Sequence, residues 1–371
     1  MVLMAVTAAA MGCAHRPPMI VKPIAGSCHQ VVSDRVRDVR WVAPGDARDL
    51  ERLVEWCRTV GPVLVESPEE GSALAVVESL AIVTWNVHVG GGDIGDVVGR
   101  LRRGEFTKGR AVAHFVLLLQ EAHREGTDVP AAVPAGSPVP DSIVERPPHS
   151  VRRDIRSVAR SERLHVVYAP SMRNGGTTAE PEDRGTAILS TLPLANLQAI
   201  ELPFERQRRV ALAATVSGER SSGTPWQLRV AAVQMDTSLA LTRGGPIAAR
   251  RRQAEALLEA LGLESSFESG TELTRSGFPP ATAAEIRSMP TVVGGDFNTW
   301  LGYKEPALEI LRRAFPETPP AGNASTWRGP LGAHAALDHV FVRGRLESVK
   351  TKRLASRFGS DHYPLLTVVD F

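Results

Sequence analysis

The chain has 371 residues, of which 43% are apolar and 23% charged, and its formal net charge at pH 7 is +2. This composition excludes a chain too polar to build a core. The near-neutral charge gives no reason of its own to expect a polyanion as partner. The length fits one large domain or two ordinary ones.

The N-terminus resembles the end of a bacterial secretory signal. Met1 to Met11 is small and apolar, and Gly12-Cys13 follows, as in a lipoprotein cleavage site. This pattern predicts a lipid on Cys13 and an extracytoplasmic protein, either secreted or membrane-anchored. No basic residue precedes the apolar run and Met11 is large for its position, so a frayed cytosolic N-terminus is the alternative. No other stretch is long and apolar enough to span a bilayer.

The remaining cysteines form an even pair. If Cys13 carries lipid, Cys28 and Cys57 are left. Outside the cytoplasm they could form a disulfide, and two unrelated buried thiols are the alternative.

Composition divides the chain into three parts: a signal-like segment (1–13), a tether with an accessory helix (14–73) and a main domain (74–371). His15 to Pro44 contains prolines and no clear period, which is typical of a tether. Asp46 is placed to cap a helix over Ala47 to Cys57, whose apolar residues recur at helical spacing.

In the main domain, predicted strands alternate with helices, but several strands are adjacent, which favours mixed sheets. The predicted strands are Leu74 to Val89, Val112 to Leu119, His165 to Ala169, Gly185 to Ser190, Val210 to Val216, Gln227 to Gln234 and Thr291 to Gly295, with two more at the C-terminus. The predicted helices are Ile94 to Arg103, Ser150 to Ser161, Ile247 to Leu261 and Pro306 to Ala314. Glu125 to Pro148 is predicted to be a long loop.

The most informative stretch runs from Val292 to Thr299. Its valines suit a buried strand, and two glycines permit close backbone approach where that strand ends. Asp296 and Asn298 then follow two residues apart, so an extended backbone directs both to one face. A carboxylate beside an amide suits a water and the oxyanion that the water creates. An ordinary strand-to-turn exit is the alternative.

Similar polar strand ends recur along the chain. They are Trp85-Asn86, Gln120-Glu121, Asp338-His339 and Ser360-Asp361-His362. Each signal is weak alone, but with Asp296 and Asn298 the five motifs in this order are a strong signal.

These motifs, with Gly185 to Ser190, resemble in order those of the endonuclease/exonuclease/phosphatase (DNase I-like) superfamily. This group includes pancreatic deoxyribonuclease, abasic-site endonucleases, neutral sphingomyelinases and inositol polyphosphate 5-phosphatases. The resemblance covers Leu74 to Phe371. It implies an α/β (α+β) four-layer sandwich, in which two packed mixed sheets are flanked by helices and the loops at one edge form the site. It also implies hydrolysis of a phosphate ester with Mg²⁺, or Mn²⁺ as an alternative.

By this resemblance, the metal ligands would be Glu121, Asn86 and Asp361. A carboxylate oxygen is the hard ligand that Mg²⁺ prefers. Asp296 would orient or deprotonate the attacking water, and Asn298 would bind the phosphoryl oxygen as charge develops.

The resemblance also assigns an acid–imidazole pair. His362 would contact the scissile phosphate, and Asp338 would hold the other ring nitrogen and favour the charged ring.

One position departs from the deoxyribonuclease pattern. Gln234 stands where that branch has a second catalytic histidine, and Arg184 lies near the place of the acid that would partner it. A glutamine donates a hydrogen bond but cannot shuttle a proton at neutral pH. Gln234 and Arg184 are therefore expected to bind substrate.

The leading expectation is a monomeric phosphodiesterase, secreted or lipid-anchored, with nucleic acid as the first substrate. Arg206, Arg208, Arg209 and the run Arg250 to Arg252 could meet a polyanion, a solvated cationic surface being the alternative.

Three other functions stay open. One is a phospholipid phosphodiesterase resembling sphingomyelinases, although aromatic residues are only 5% of the chain. Trp300 and Trp327 could cover a lipid, stack on a base or pack in the core. The others are a sugar or inositol phosphatase and a catalytically weak surface-binding protein, for which Gln234 is the one supporting feature.

Overall fold

The computed structural model describes residues 18–21, 27–33, 38–68, 74–133, 151–174, 181–237, 245–263, 288–319 and 324–371. The signal-like segment and most of the predicted long loop lie outside these residues. Among the described helices, none has both the length and the apolar character needed to cross a membrane.

Two large mixed sheets form the frame. The seven-stranded sheet has the order β1 (Met19–Val21), β3 (Arg40–Pro44), β9 (Ala195–Glu201), β10 (Val210–Glu219), β11 (Pro225–Gln234), β12 (Thr291–Asp296) and β15 (Asp338–Arg343). The eight-stranded sheet has the order β16 (Ser348–Arg353), β17 (Leu365–Asp370), β5 (Ser79–Asn86), β6 (Phe115–Glu125), β8 (Glu182–Ser190), β7 (His165–Arg173), β4 (Val63–Glu66) and β2 (Val31–Ser33). A small hairpin joins β13 (Trp327–Arg328) to β14 (His334–Ala335).

The helices are α1 (Ala47–Cys57), α2 (Ile94–Arg102), α3 (Ile155–Ser161), α4 (Gly245–Ala260) and α5 (Pro306–Ala314). Short 3-10 turns occur at Ser27–His29, Gly302–Lys304 and Pro330–Gly332.

Alternation along the strands produces four layers. In β6, Leu118 faces the seven-stranded sheet, whereas Leu117 packs with α2 and α3 on the other side. In β12, Val292 faces the eight-stranded sheet, and Val293 packs with α4 and α5. Neighbouring strand residues point to opposite faces, so strands covered on both sides are continuously apolar. The predicted four-layer sandwich with mixed sheets is confirmed.

Two helix predictions have the observed bounds. Helix α1 begins after Asp46, whose Oδ1 accepts hydrogen bonds from the backbone N–H groups of Arg48 and Asp49, each at 3.0 Å. An N-terminal carboxylate of this kind satisfies helix N–H groups that have no partner within the helix. Helix α5 likewise covers the predicted span, with Pro306 as its first residue.

The tether prediction for His15 to Pro44 is wrong where the structure describes that segment. Strand β1 pairs with β3, and β3 extends the seven-stranded sheet next to β9. Strand β2 pairs with β4 at the edge of the eight-stranded sheet. Strands of three to five residues are too short to produce a visible period. Trp41, buried between the sheets, shows that this segment is part of the core.

The paired-cysteine alternative is the one observed. A disulfide joins Cys28, in the 3-10 turn, to Cys57 at the end of α1. The bond ties the N-terminal strands to the helix that covers them.

Candidate active site

Strand register brings the predicted residues to one edge of the sandwich. Gln234 at the end of β11 pairs with Asp296 of β12, and Asp296 pairs with Asp338 of β15. In the facing sheet, Asn86 of β5 pairs with Gln120 of β6, one residue before Glu121. The strand ends therefore meet across the gap between the sheets.

Four non-glycine residues at this edge have a left-handed backbone. His88, Val89, Glu121 and Asn298 all have positive φ, at 48°, 50°, 54° and 51°. A left-handed conformation is costly for non-glycine residues, above all for a β-branched one, and persists where the surroundings enforce it. At Glu121 it coincides with a shift in the register between β6 and β8. The irregularity breaks the strand alternation beside that carboxylate.

Asn86 links carboxylates from the two sheets. Its Nδ2 donates to Oε1 of Glu121 at 3.2 Å and to Oδ2 of Asp296 at 3.0 Å. Its Oδ1 accepts from the backbone N–H of His88 at 2.9 Å. Because a backbone N–H can only donate, this bond decides which end of the amide is the oxygen.

Glu121 lies in a cationic environment. Burial alone would raise its pKa, but Arg184 and Arg209 lower it, and the hydrogen bonds from Gln234 (2.7 Å) and Asn86 add to this, so that the pKa falls to about 2. Arg209 in turn donates to Oε1 of Gln234. Glu121 is therefore an anion throughout the neutral range.

His362 and Asp338 form a buried ion pair. The imidazole Nδ1 lies 2.7 Å from Oδ2 of Asp338. Burial opposes the charged ring, but Asp338 outweighs it and raises the pKa of His362 to about 10. The imidazolium therefore persists at neutral pH.

Asp296 has the opposite shift from Glu121. Burial and the neighbouring Asp338 raise its pKa to about 6, although His362 works against them. Ligand atoms of Asp296, Asp338 and His362 lie within 4.8 Å of one another. Asp296 can therefore gain or lose a proton near neutrality, as a general base requires.

Asn298 lies beside Asp296 with its amide partly engaged. Its backbone N–H donates to Oδ1 of Asp296 at 3.0 Å, and its Nδ2 donates to the carbonyl of Met235 at 3.0 Å. An amide nitrogen carries two hydrogens, so one remains for a ligand.

Asp361 lies at the half-exposed mouth of the site. Its Oδ2 accepts from Nε1 of Trp327 at 2.9 Å, while its Oδ1 is 3.7 Å from Nδ1 of His88 and 4.0 Å from Nε2 of His362. His88 also lies at this mouth, and its position two residues after Asn86 is the signal by which the sequence could have indicated it.

Other residues fall outside the centre. His123 is buried beside Glu182, with Nδ1 at 3.4 Å from that carboxylate. His339 contacts Thr299, and burial together with Arg312 lowers its pKa to about 3. The sequence offers Arg209 only as a candidate for binding a polyanion, whereas in the structure it is buried and donates to Gln234 beside Glu121.

The donors fit a divalent cation such as Mg²⁺ or Mn²⁺, which binds hard, ionised oxygen ligands. Glu121 and Asp361 offer such carboxylates. Asn86 as oriented presents its nitrogen, because its oxygen is held by the N–H of His88. Asn86 would therefore have to turn its amide over before it could coordinate an ion.

A family comparison matches this arrangement. The model of the Endonuclease/Exonuclease/phosphatase family matches residues 83–362, which include all the residues above. The chain belongs to this family. Endonucleases, exonucleases and phosphatases all hydrolyse phosphoesters. No curated protein matches the sequence.

Solved structures show distant similarity to this family member. An endonuclease/exonuclease/phosphatase from Beutenbergia cavernae DSM 12333 is 15% identical, with 80% of this chain and 72% of that chain covered and a TM-score of 0.49. Truncated TDP2 from Caenorhabditis elegans is 14% identical, with coverages of 79% and 98% and a TM-score of 0.41. Beta toxin from Staphylococcus aureus is 14% identical, with coverages of 78% and 99% and a TM-score of 0.42. Identity this low gives no information about the substrate.

Proposed function

We propose that the protein is a metal-dependent phosphodiesterase that acts outside the cytoplasm. The observation that carries the proposal is the close grouping of Asp296, Asp338 and His362, within 4.8 Å, next to carboxylates suited to a cation. Such a set can activate water and stabilise a phosphoryl transition state at one point.

Each residue has a proposed role. Asp296 accepts the proton of the attacking water, because its raised pKa makes it a usable base. His362, kept charged by Asp338, neutralises the phosphoryl oxygen, and Asn298 donates its remaining amide hydrogen there. A cation held by Glu121 and Asp361 would supply further charge neutralisation. Gln234 donates a hydrogen bond to Glu121, Arg184 adds positive charge near that carboxylate, and both are proposed donors to substrate.

The nucleic-acid expectation loses three of the arginines that supported it. Arg208 is buried in a bidentate pair with Glu201, and Arg250 is likewise buried against Glu305. Arg252 pairs with Glu205. These three side chains are used within the fold, whereas Arg206 and Arg251 are exposed. Nucleic acid therefore stays a proposal with fewer cations to support it.

Two observations support an extracytoplasmic location. The Cys28–Cys57 disulfide is of a kind that persists in oxidising compartments, and the N-terminal pattern predicts lipidation. We expect Cys13→Ala to move the protein from the membrane to the soluble fraction in a bacterial host that lipidates proteins. An unchanged distribution would contradict the anchor.

The function is tested with purified protein and bis-p-nitrophenyl phosphate, in parallel with p-nitrophenyl phosphate, DNA, RNA and sphingomyelin. We expect diester hydrolysis with Mg²⁺ or Mn²⁺ that EDTA abolishes. Folded His362→Ala should be inactive, which separates this site from a contaminating enzyme. Absence of hydrolysis with every substrate and either cation would favour the surface-binding alternative.

A further inference from the structure

Two loops beside the site expose large apolar side chains. Trp300, Leu301 and Leu331 have exposed fractions of 38%, 61% and 108%. Trp300 follows Asn298 by two residues, and Leu331 lies at the tip of the β13–β14 hairpin. We call these three residues the apolar rim.

The apolar rim borders the catalytic residues directly. Trp327, at the base of the hairpin, forms a backbone bridge with His362 and donates its indole N–H to Asp361. Trp300 packs edge-on against Trp327, with ring centroids 5.0 Å apart. The two loops thus meet at the mouth of the site.

Both loops are held in place, so the exposure does not come from fraying. The backbone N–H of Leu301 donates to Glu305 at 3.1 Å, and Glu305 forms a buried bidentate pair with Arg250 at 2.7 and 2.8 Å. In the hairpin, Gly329 N–H donates to the carbonyl of Ala333 at 2.8 Å. Leu331 itself has a left-handed backbone, with φ of 55°. A fixed, strained apolar tip is typical of a binding feature.

The two loops that carry the apolar rim have basic side chains and no acidic ones, and the carboxylates nearest to them, Asp361 and Glu305, accept hydrogen bonds from Trp327 and Leu301. Segments 300–304 and 324–335 include Lys304 and Arg328 and no acidic residue. Tyr363, whose N–H donates to the carbonyl of Thr326 at 2.7 Å, lies beneath Arg353 at 4.2 Å from its ring centroid. An apolar tip with basic residues around it complements a surface that is anionic outside and apolar beneath.

We propose that the apolar rim docks on an anionic phospholipid surface. Leucine and tryptophan side chains insert at the headgroup–acyl boundary, and lysine and arginine side chains contact anionic headgroups. A nucleobase would use the indole of Trp300 but leave Leu301 and Leu331 in water. Docking itself does not depend on the proposed function. One consequence does rest on it, namely that the hydrolysed phosphoester belongs to the lipid layer.

Docking is tested on the full chain carrying Cys13→Ser, so that no lipid anchor contributes. Sedimentation with phosphatidylcholine vesicles, with and without phosphatidylglycerol, measures binding, and tryptophan emission should shift to shorter wavelength. We expect binding that needs phosphatidylglycerol and weakens with salt. Leu301→Ser with Leu331→Ser should weaken it by about tenfold or more, from the lost apolar burial. The matched control is Val76→Ser, an exposed apolar site (56%) at the opposite sheet edge, beside Glu219.

Hydrolysis of bis-p-nitrophenyl phosphate is measured on the same samples. It should be unchanged in the double leucine variant, so a failure of docking and a failure of catalysis are distinguishable. Absence of vesicle binding, or equal binding by the double variant, would overturn the proposal. Quenching of tryptophan emission by a single-stranded oligonucleotide but not by vesicles would assign the surface to nucleic acid and also overturn it.

Discussion

The two sides of the site place their acids in opposite electrostatic environments. On the eight-stranded sheet, Glu121 faces Arg184 and Arg209, and its pKa is lowered to about 2. On the seven-stranded sheet, Asp296 is buried near another carboxylate, and its pKa is raised to about 6. Asn86 donates to both acids. The environment of each carboxylate, more than its residue type, therefore determines its role. Glu121 is a permanent anion suited to binding a cation, and Asp296 is a base suited to activating water.

The largest loss of activity is expected from removing the negative charge of Glu121. Glu121→Gln keeps the hydrogen-bonding shape but loses the charge, so activity should fall by about 10³-fold, because metal stabilisation is worth several kcal/mol. EDTA should do the same to the parent protein. Isothermal titration with Mn²⁺ should show weakened binding in the variant. Full metal-independent activity of a folded Glu121→Gln protein would contradict this division of roles.

The next largest effect on activity is expected from removing the charge of Asp338, which keeps His362 protonated. Asp338→Asn should lower the rate by about 10²-fold at neutral pH. A neutral asparagine cannot favour the imidazolium, so the His362 pKa should fall from about 10 towards or below its ordinary value. The pH at which kcat/KM falls on the alkaline side should therefore decrease. If that pH does not change, the alkaline fall is caused by another group.

The acidic side of the pH profile of kcat/KM tests the role of Asp296 separately. Its base form exists only above its pKa of about 6, so kcat/KM should rise as pH increases through that value. Bound cation would move this rise to lower pH, because positive charge favours the carboxylate. Measuring the profile at several Mg²⁺ concentrations tests both statements. A profile that falls through pH 6 would be incompatible with Asp296 as base.

The smallest effect is expected at Gln234. Gln234→Ala removes one hydrogen bond to Glu121 and should cost about tenfold, far less than His362→Ala. Gln234→Glu is the informative companion, since a second carboxylate beside Glu121 should raise the Glu121 pKa. Equal losses from Gln234→Ala and His362→Ala would make Gln234 a principal catalytic group.

Local pattern predicted much of this molecule, for physical reasons that particular residues illustrate. The valines of β12 and the apolar run of β6 are buried on both faces, so their strands were visible from composition. The strand ends could be predicted because each apolar run in the sequence stops at polar residues. The family resemblance implied a site at one edge of the sandwich, and the observed register brings Gln234, Asp296 and Asp338 together there.

The predictions that failed concern contacts between residues that are distant in sequence. Strands β1 to β3 carry no periodic signal because each is short and lies near a sheet edge. The arginines of α4 looked like a surface for polyanions, yet Arg250 is buried against Glu305, fifty-five positions away in sequence. The orientation of the Asn86 amide is set by its contacts with His88, Glu121 and Asp296, which no spacing predicts.

The central claim is that Asp338 holds His362 as an imidazolium, and NMR titration of the histidine rings tests it most directly. In metal-free protein, the His362 ring should stay charged until pH approaches about 10. The sign follows from a raised folded-state pKa: the pair stabilises the fold fully below the ordinary histidine pKa, and this contribution is lost as pH rises through about 10. In Asp338→Asn the same ring should titrate near or below the ordinary value of about 6.5. A His362 that titrates near neutrality in both proteins would contradict the account.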